Sequence, residues 1–186
     1  MNPNRRTILL AGAGLASVGL IGIKGASAAS AHQLGNDAIA ALHRLYAEQP
    51  KARQLGGKAK AILVFPKIIK AGLVIGGQSG DGALLIGGKP TAYYNLSAAS
   101  FGLQAGGQTF SYALFFMTDS ALDYLEKSDG WAIGSGPSVV VVDKGAAASL
   151  TSTTLSEDVY AIPFGQRGLM AGLGLEGSKI TPIHPS

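Results

Sequence analysis

Lys58-Ala-Lys-Ala-Ile-Leu-Val-Phe-Pro-Lys-Ile-Ile-Lys-Ala-Gly72 is followed by Leu73-Val-Ile-Gly-Gly77, Gln78-Ser-Gly-Asp-Gly82 and Ala83-Leu-Leu-Ile-Gly-Gly88. This stretch decides the fold. Ile62 to Phe65 is short, apolar and rich in strand formers, and Pro66 stops it because proline cannot donate to a ladder. Leu73–Gly77 and Ala83–Gly88 flank Gln78–Gly82, which has the composition of a hairpin loop. Four lysines, Lys58, Lys60, Lys67 and Lys70, interrupt the apolar run. Their stems can lie along apolar surface while the ammonium heads stay wet.

Upstream of this stretch the period is helical. Leu34, Ala38, Ala41/Leu42 and Leu45 recur at i, i+4, i+7/i+8 and i+11, which predicts a helix over Ser30–Gln49 closed by Pro50. A second, shorter helix is expected over Lys51–Ala61, weakened by Gly56-Gly57. Downstream, Thr91–Leu96, Phe101–Gln108 and Phe110–Met117 read as strands. Thr118-Asp119 caps a short helix, Ser120–Lys127. Trp131–Asp143 contains Val139–Val142, read as a buried strand by its β-branching. Gly145–Thr154, Val159–Phe164 and Leu169–Ile180 complete the set. Gly76-Gly77-Gln78 and Gly106-Gly107-Gln108 are near-copies. Glycines at such strand positions mark bends, bulges or close backbone approach. The fold class expected is α+β, with N-terminal helices packed on a strongly curved, mainly antiparallel, Gly-rich β-sheet or small barrel.

Residues 1–31 read as an export signal. Arg5-Arg6 begin it, a mild Gly-containing apolar core runs from Ile8 to Ile23, and Ala26-Ser27-Ala28 and Ala29-Ser30-Ala31 are small-residue cleavage patterns. The arginine pair and Lys24 point to the twin-arginine route. The alternative is an uncleaved anchor, but sixteen apolar residues are short against the ~20 that span a bilayer. Residues 32–186 are then one domain, exported to the periplasm or another envelope site.

Removing the signal changes the charge. The chain has 15 Lys+Arg and 11 Asp+Glu. Arg5, Arg6 and Lys24 leave with the signal, so 12 bases face 11 acids, a net charge of +1. That balance argues against a nucleic-acid partner, which calls for a basic patch with strong net charge. The charge is unevenly placed: Arg44 to Lys89 holds eight bases against Glu48 and Asp81, and Pro90 onward holds four bases against eight acids. Such asymmetry hints at a charged binding face, unless the halves mix in space and cancel. There is no cysteine, hence no disulfide and no thiol nucleophile.

Catalytic and metal chemistry find little support. His32, His43 and His184 have no metal-ligand spacing. Gly87-Gly88-Lys89-Pro90-Thr91 lacks the glycine spacing and Lys-Ser/Thr pair of a phosphate loop. Gln78-Ser79-Gly80 and Gly134-Ser135-Gly136 are not full nucleophile elbows. Asp119, Asp123, Glu126 and Asp129 read as a solvated helix face, and Asp81 alone is too little for a calcium loop. The expectation is no enzyme, no catalytic residue, no metal and no cofactor.

Phe65-Pro66-Lys67-Ile68-Ile69-Lys70-Ala71-Gly72, Gly76-Gly77, Gly80-x-Gly82, and Gly102 with Gly106-Gly107-Gln108 resemble the SYLF (Ysc84-type) lipid-binding domain family. Tyr160, Phe164–Gly168 and Gly168-Leu169-x-Ala171-Gly172-x-x-Leu175-Glu176-Gly177 resemble its closing motif. The likeness runs from about Ala38 to Ile180. It implies a domain that binds acidic phospholipids, and in some fungal relatives actin. Export argues against actin as a partner here. The function expected is therefore peripheral, non-enzymatic binding of acidic phospholipid headgroups at a bacterial envelope membrane, of micromolar-scale strength. The residues expected to carry it are Lys58, Lys60, Lys67, Ile68, Ile69 and Lys70. The alternative is an envelope structural or protein-interaction domain, with glycine-rich strand edges open to an envelope protein partner.

Overall fold

The Ser30 hydroxyl accepts the Gln33 N–H at 3.2 Å and caps the first helix, α1 (Ala31–Glu48). The structure is a computed structural model describing residues 30–72, 75–101, 106–142, 155–168, 175 and 177–186. The export signal, Gly145–Thr154 and most of Leu169–Glu176 lie outside the described residues. The predicted stripe of α1 is the buried one: Leu34, Ala38, Ala41, Leu42 and Leu45 face inward. Pro50 starts the second helix, α2 (Pro50–Gly56), where a missing N–H costs nothing, and Gly57 caps its end.

Eight strands follow: β1 (Ala61–Gly72), β2 (Ile75–Ile86), β3 (Lys89–Phe101), β4 (Gly106–Phe116), β5 (Trp131–Ala132), β6 (Val139–Val141), β7 (Val159–Gly168) and β8 (Lys179–Ile183). A third helix, α3 (Asp119–Lys127), sits between β4 and β5, with Thr118 as its cap. The sheet order is β5-β8-β3-β2-β1-β4-β7-β6. All pairings are antiparallel except β6 with β7. The sheet curls strongly into a half-barrel, so the α+β expectation is borne out.

Alternation along β1 sorts the core onto two faces. Leu63, Phe65 and Ile68 pack with Leu84, Leu96, Tyr112, Leu114, Phe116, Trp131 and Ile180 on one face. Ile62 and Val64 pack with Ala83, Leu85, Phe115, Ile162 and Phe164 under Ala38, Leu42, Leu45 and Leu55 on the helix-covered face.

Four expectations are corrected. Pro66 does not end a strand. β1 runs through it, and the ladders to β2 and β4 shift register there, between Val64 and Ile69 on one side and Phe65 and Ile68 on the other. A bulge tolerates a residue that cannot donate, and it adds local twist. Nor is Gln78–Gly82 a loop, since β2 crosses it in unbroken register with β3. Its glycines are there for close approach. A Cβ on Gly82 would lie 2.6 Å from Phe65 Cδ1, and one on Gly80 would collide with the Lys67 carbonyl. The hairpin turn is Gly87-Gly88, at φ 58° and 78°, which glycine adopts without strain. Finally, Val139–Val142 is not a buried strand. Among the described residues β6 is a sheet edge, with Val140 and Val141 each 39% exposed and only Val142 buried. Phe101 ends β3 and Gly106 begins β4, so the strand expected over Phe101–Gln108 straddles a connection.

Candidate functional site

The β1 bulge divides the outer surface of the sheet. Up to Phe65 both faces are covered, and beyond Pro66 the helix layer runs out. The Ser111 hydroxyl donates to the Pro66 carbonyl at 2.8 Å and fixes the bulge. Lys67 is thrown outward and exposed, Ile68 returns to the core with no exposed surface, and Ile69 points out with 51% of its surface exposed. Ile69 is in register with Thr109 of β4, which is in register with Arg167 of β7. These three side chains therefore share one face, the face on which α1 lies.

Where the last turns of α1 overhang this face there is a cleft of about 720 Å³. Arg44 and Glu48 line it from the helix, Pro66 and Lys67 from the bulge, Thr109, Phe110 and Ser111 from β4, and Gly165, Gln166 and Arg167 from β7. Three cations thus face one carboxylate. Among the described residues, none of these four charged groups forms an ion pair. An exposed isoleucine beside such a cleft can enter an apolar layer while the cations meet anions.

The six residues expected from the sequence do not form one surface. Lys58 is exposed in the turn after α2, and Lys60 pairs with Asp119 at 3.2 Å. Both precede the far end of β1, nine (Lys60) and eleven (Lys58) residues from Ile69, and the nine alone span roughly 25–30 Å of strand. Ile68 is core, because the bulge restores it to the face of Phe65. Lys70 is half-buried on the opposite face, in register between Gln78 and Gln108. Only Lys67 and Ile69 remain together. Arg44, Glu48, Thr109 and Arg167 were missed as site residues. Arg44 had been counted in the basic half and Arg167 lies in the closing motif, but neither position signalled convergence on the bulge.

Residues 97–184 match the Ysc84 family, described as Las17-binding protein actin regulator. The SYLF resemblance is borne out. The matched stretch runs from within β3 to just past β8 and carries the β4 and β7 walls of the cleft, but not Arg44, Glu48 or Lys67. The Ysc84 family is associated with lipid binding and with actin-related roles. No curated protein matches the chain. Among the described residues, no helix is long and apolar enough to cross a membrane, and no group of three or more His, Asp or Glu could hold a metal ion.

Proposed function

We propose that this chain is an exported, non-enzymatic module that binds acidic phospholipid headgroups reversibly at a bacterial envelope membrane. The observation that carries this reading is Ile69, an exposed large aliphatic side chain on the same face as Lys67 and Arg167. Each base near an anionic surface contributes about 1 kcal/mol, and inserting one isoleucine adds ~1.5–3 kcal/mol. Arg44, Lys67, Arg167 and Ile69 together give ~4.5–6 kcal/mol, a Kd of roughly 0.04–0.5 mM. That is the weak end of the micromolar-scale strength expected from the sequence, since Ile68 is core and one isoleucine, not two, is free to insert. Export places the chain away from actin, so actin is not a partner in this reading.

Co-sedimentation with vesicles tests it. The protein should bind vesicles containing phosphatidylglycerol, lose binding as salt rises, and ignore neutral phosphatidylcholine. Equal binding to both, or undiminished binding by Lys67→Glu/Ile69→Asp, would sink the proposal. A second reading, an envelope protein-interaction domain, is favoured by one observation: among the described residues, β6 is a sheet edge with two exposed valines. An exposed edge can accept a strand from a partner. Under that reading, a Val140→Lys variant would lose a stable complex from envelope extracts while its vesicle binding matched that of the unaltered protein.

A further inference from the structure

We propose that the export signal is removed at the Ala28–Ala29 peptide bond, and that the fold itself closes the second cleavage pattern, at Ala31–His32, to the peptidase. The inference rests on the export reading and names the processing site that this reading requires. The partner is a peptidase that reads small residues one and three positions before the bond it cuts. Ala26-Ser27-Ala28 and Ala29-Ser30-Ala31 meet that requirement equally well. Hydrolysis at either adds one water across an amide. The alanine carbonyl carbon takes the oxygen and becomes a carboxylate, and the nitrogen of the next residue takes a proton and becomes an α-ammonium.

The start of α1 separates the two bonds. Ser30 is its cap: the hydroxyl accepts the Gln33 N–H at 3.2 Å, and the carbonyl accepts the Leu34 N–H at 2.9 Å. Ala31 is the first helical residue, and its N–H donates to the Ser186 carbonyl at 3.3 Å. The Ala31 carbonyl, the one that would be attacked, stands in the first turn, where a helical ladder pairs it with the N–H four residues on. Leu34 and Gly35 are buried just beyond, and a Cβ on Gly35 would come within 2.8 Å of Pro90 Cγ in β3. To lay Ala29–Ala31 out straight in a peptidase cleft, the chain must give up the cap, the tie to Ser186 and the first turn. Only the opened fraction of a folded chain is cut. The twin-arginine route expected from Arg5-Arg6 carries chains that have already folded, so the peptidase meets α1 formed. The first pattern ends two residues before the cap, and a cut there leaves all these contacts in place. It also keeps the new ammonium off the first turn, whose orphan N–H groups already make that end positive. A cut after Ala31 would remove Ser30 and put the charge on that turn.

Expression of the full chain in a bacterium with a working twin-arginine route, followed by intact-mass measurement of the protein from the envelope, tests the assignment. The mature chain should begin at Ala29. Ala28→Leu puts a bulky residue before the bond and should leave the chain uncut, because the second pattern stays closed. Ala31→Leu should be processed like the unaltered chain. Neither substitution touches the Ser30 hydroxyl, so both variants should fold. A mature chain that begins at His32 overturns the proposal and leaves the export reading standing. So does a shift of the cut to Ala31–His32 in Ala28→Leu, which would show that the helix does not protect that bond. An unaltered chain recovered whole overturns the proposal together with the reading of residues 1–31 as a cleaved signal. Protein made to begin at His32 should melt about 2–4 °C below protein made to begin at Ala29, since it lacks the cap. Equal melting would mean that the cap holds nothing in place, and would overturn the protection argued for it.

Discussion

The two halves of β1 are built from similar residues and do different work. Ala61–Phe65 is buried on both faces, five residues in a row. Lys67–Gly72 alternates, and only Ile68 is fully buried. Phe65 and Ile69 are both large apolar residues four positions apart, yet one is sealed in the core and the other is half open to solvent. The difference is the bulge at Pro66 and the point where the helix layer ends. Hydrophobicity in the first half is spent on holding the sheet to its helices, whereas in the second it is left free.

Truncation should separate the halves most sharply. Phe65→Ala removes a fully buried ring and should cost ~3–5 kcal/mol. Ile69→Ala should stay within about 0.5 kcal/mol. Urea unfolding midpoints of the two variants read this directly, and similar losses would mean that the two halves of β1 contribute alike to stability.

Glycine substitutions sharpen the comparison at the bulge itself. Gly82→Ala forces a Cβ to 2.6 Å from both Phe65 Cδ1 and the Val64 carbonyl. Overpacking of this kind costs ~1–3 kcal/mol. At Gly77, also in β2 but past the bulge, a Cβ would meet only the Ala98 carbonyl at 3.5 Å, an ordinary contact. Gly77→Ala should be neutral or slightly stabilising, because it restricts the unfolded chain. Equal melting temperatures for the two variants would show that β1 does not press on β2 at the bulge.

Charge reversal compares the two ends of β1. Lys67→Glu should remove about 2 kcal/mol of attraction to an anionic vesicle at low salt, near thirtyfold in affinity. Lys60→Glu should weaken binding far less, since Lys60 lies at the other end and faces Asp119. A larger effect at Lys60 would move the contact surface to the α2 end of the sheet.

What the sequence made legible follows from which signals are local. The α1 stripe was read correctly because a 3.6-residue period with Ser30 before it and Pro50 after it has one meaning. The strand character of Ile62–Phe65 and Val159–Phe164 was equally plain. The path of β2 was not, because Gln78–Gly82 has loop composition. Only the backbone and side chains of β1 crossing against it explain why glycine stands in a strand there. The site was partly legible for a related reason. Lys67 and Ile69 are near each other in sequence, but Arg44 and Arg167 reach the same cleft only through the packing of α1 on the sheet and the β1-β4-β7 register. Proximity in sequence also misled: Lys70 is one residue from Ile69 and faces the other way.

The smallest predicted effect concerns the well-covered half and its edge. Asp158, just before β7, accepts the Ser138 N–H at 3.1 Å, the Thr118 hydroxyl at 3.0 Å and the Ser138 hydroxyl at 3.1 Å. It ties the start of β6 to the cap of α3. These bonds, led by the Ser138 backbone N–H and then the Thr118 hydroxyl, hold its carboxyl below the usual aspartate value, against the opposing effect of burial. A carboxyl depressed in the folded state contributes stability that is complete above the unfolded value and is lost as pH falls through the folded one. Asp158→Asn keeps an acceptor but loses the charge. It should cost no more than about 1 kcal/mol at pH 7, because the group is partly open to solvent. The gap in melting temperature between this variant and the unaltered protein should begin to narrow below about pH 4, the unfolded aspartate value, and close only once pH has fallen through the lower folded value, where the aspartate is neutral too. A gap that stays constant down to the acid limit would mean that the three hydrogen bonds hold the loop by shape and do not favour the ionised form.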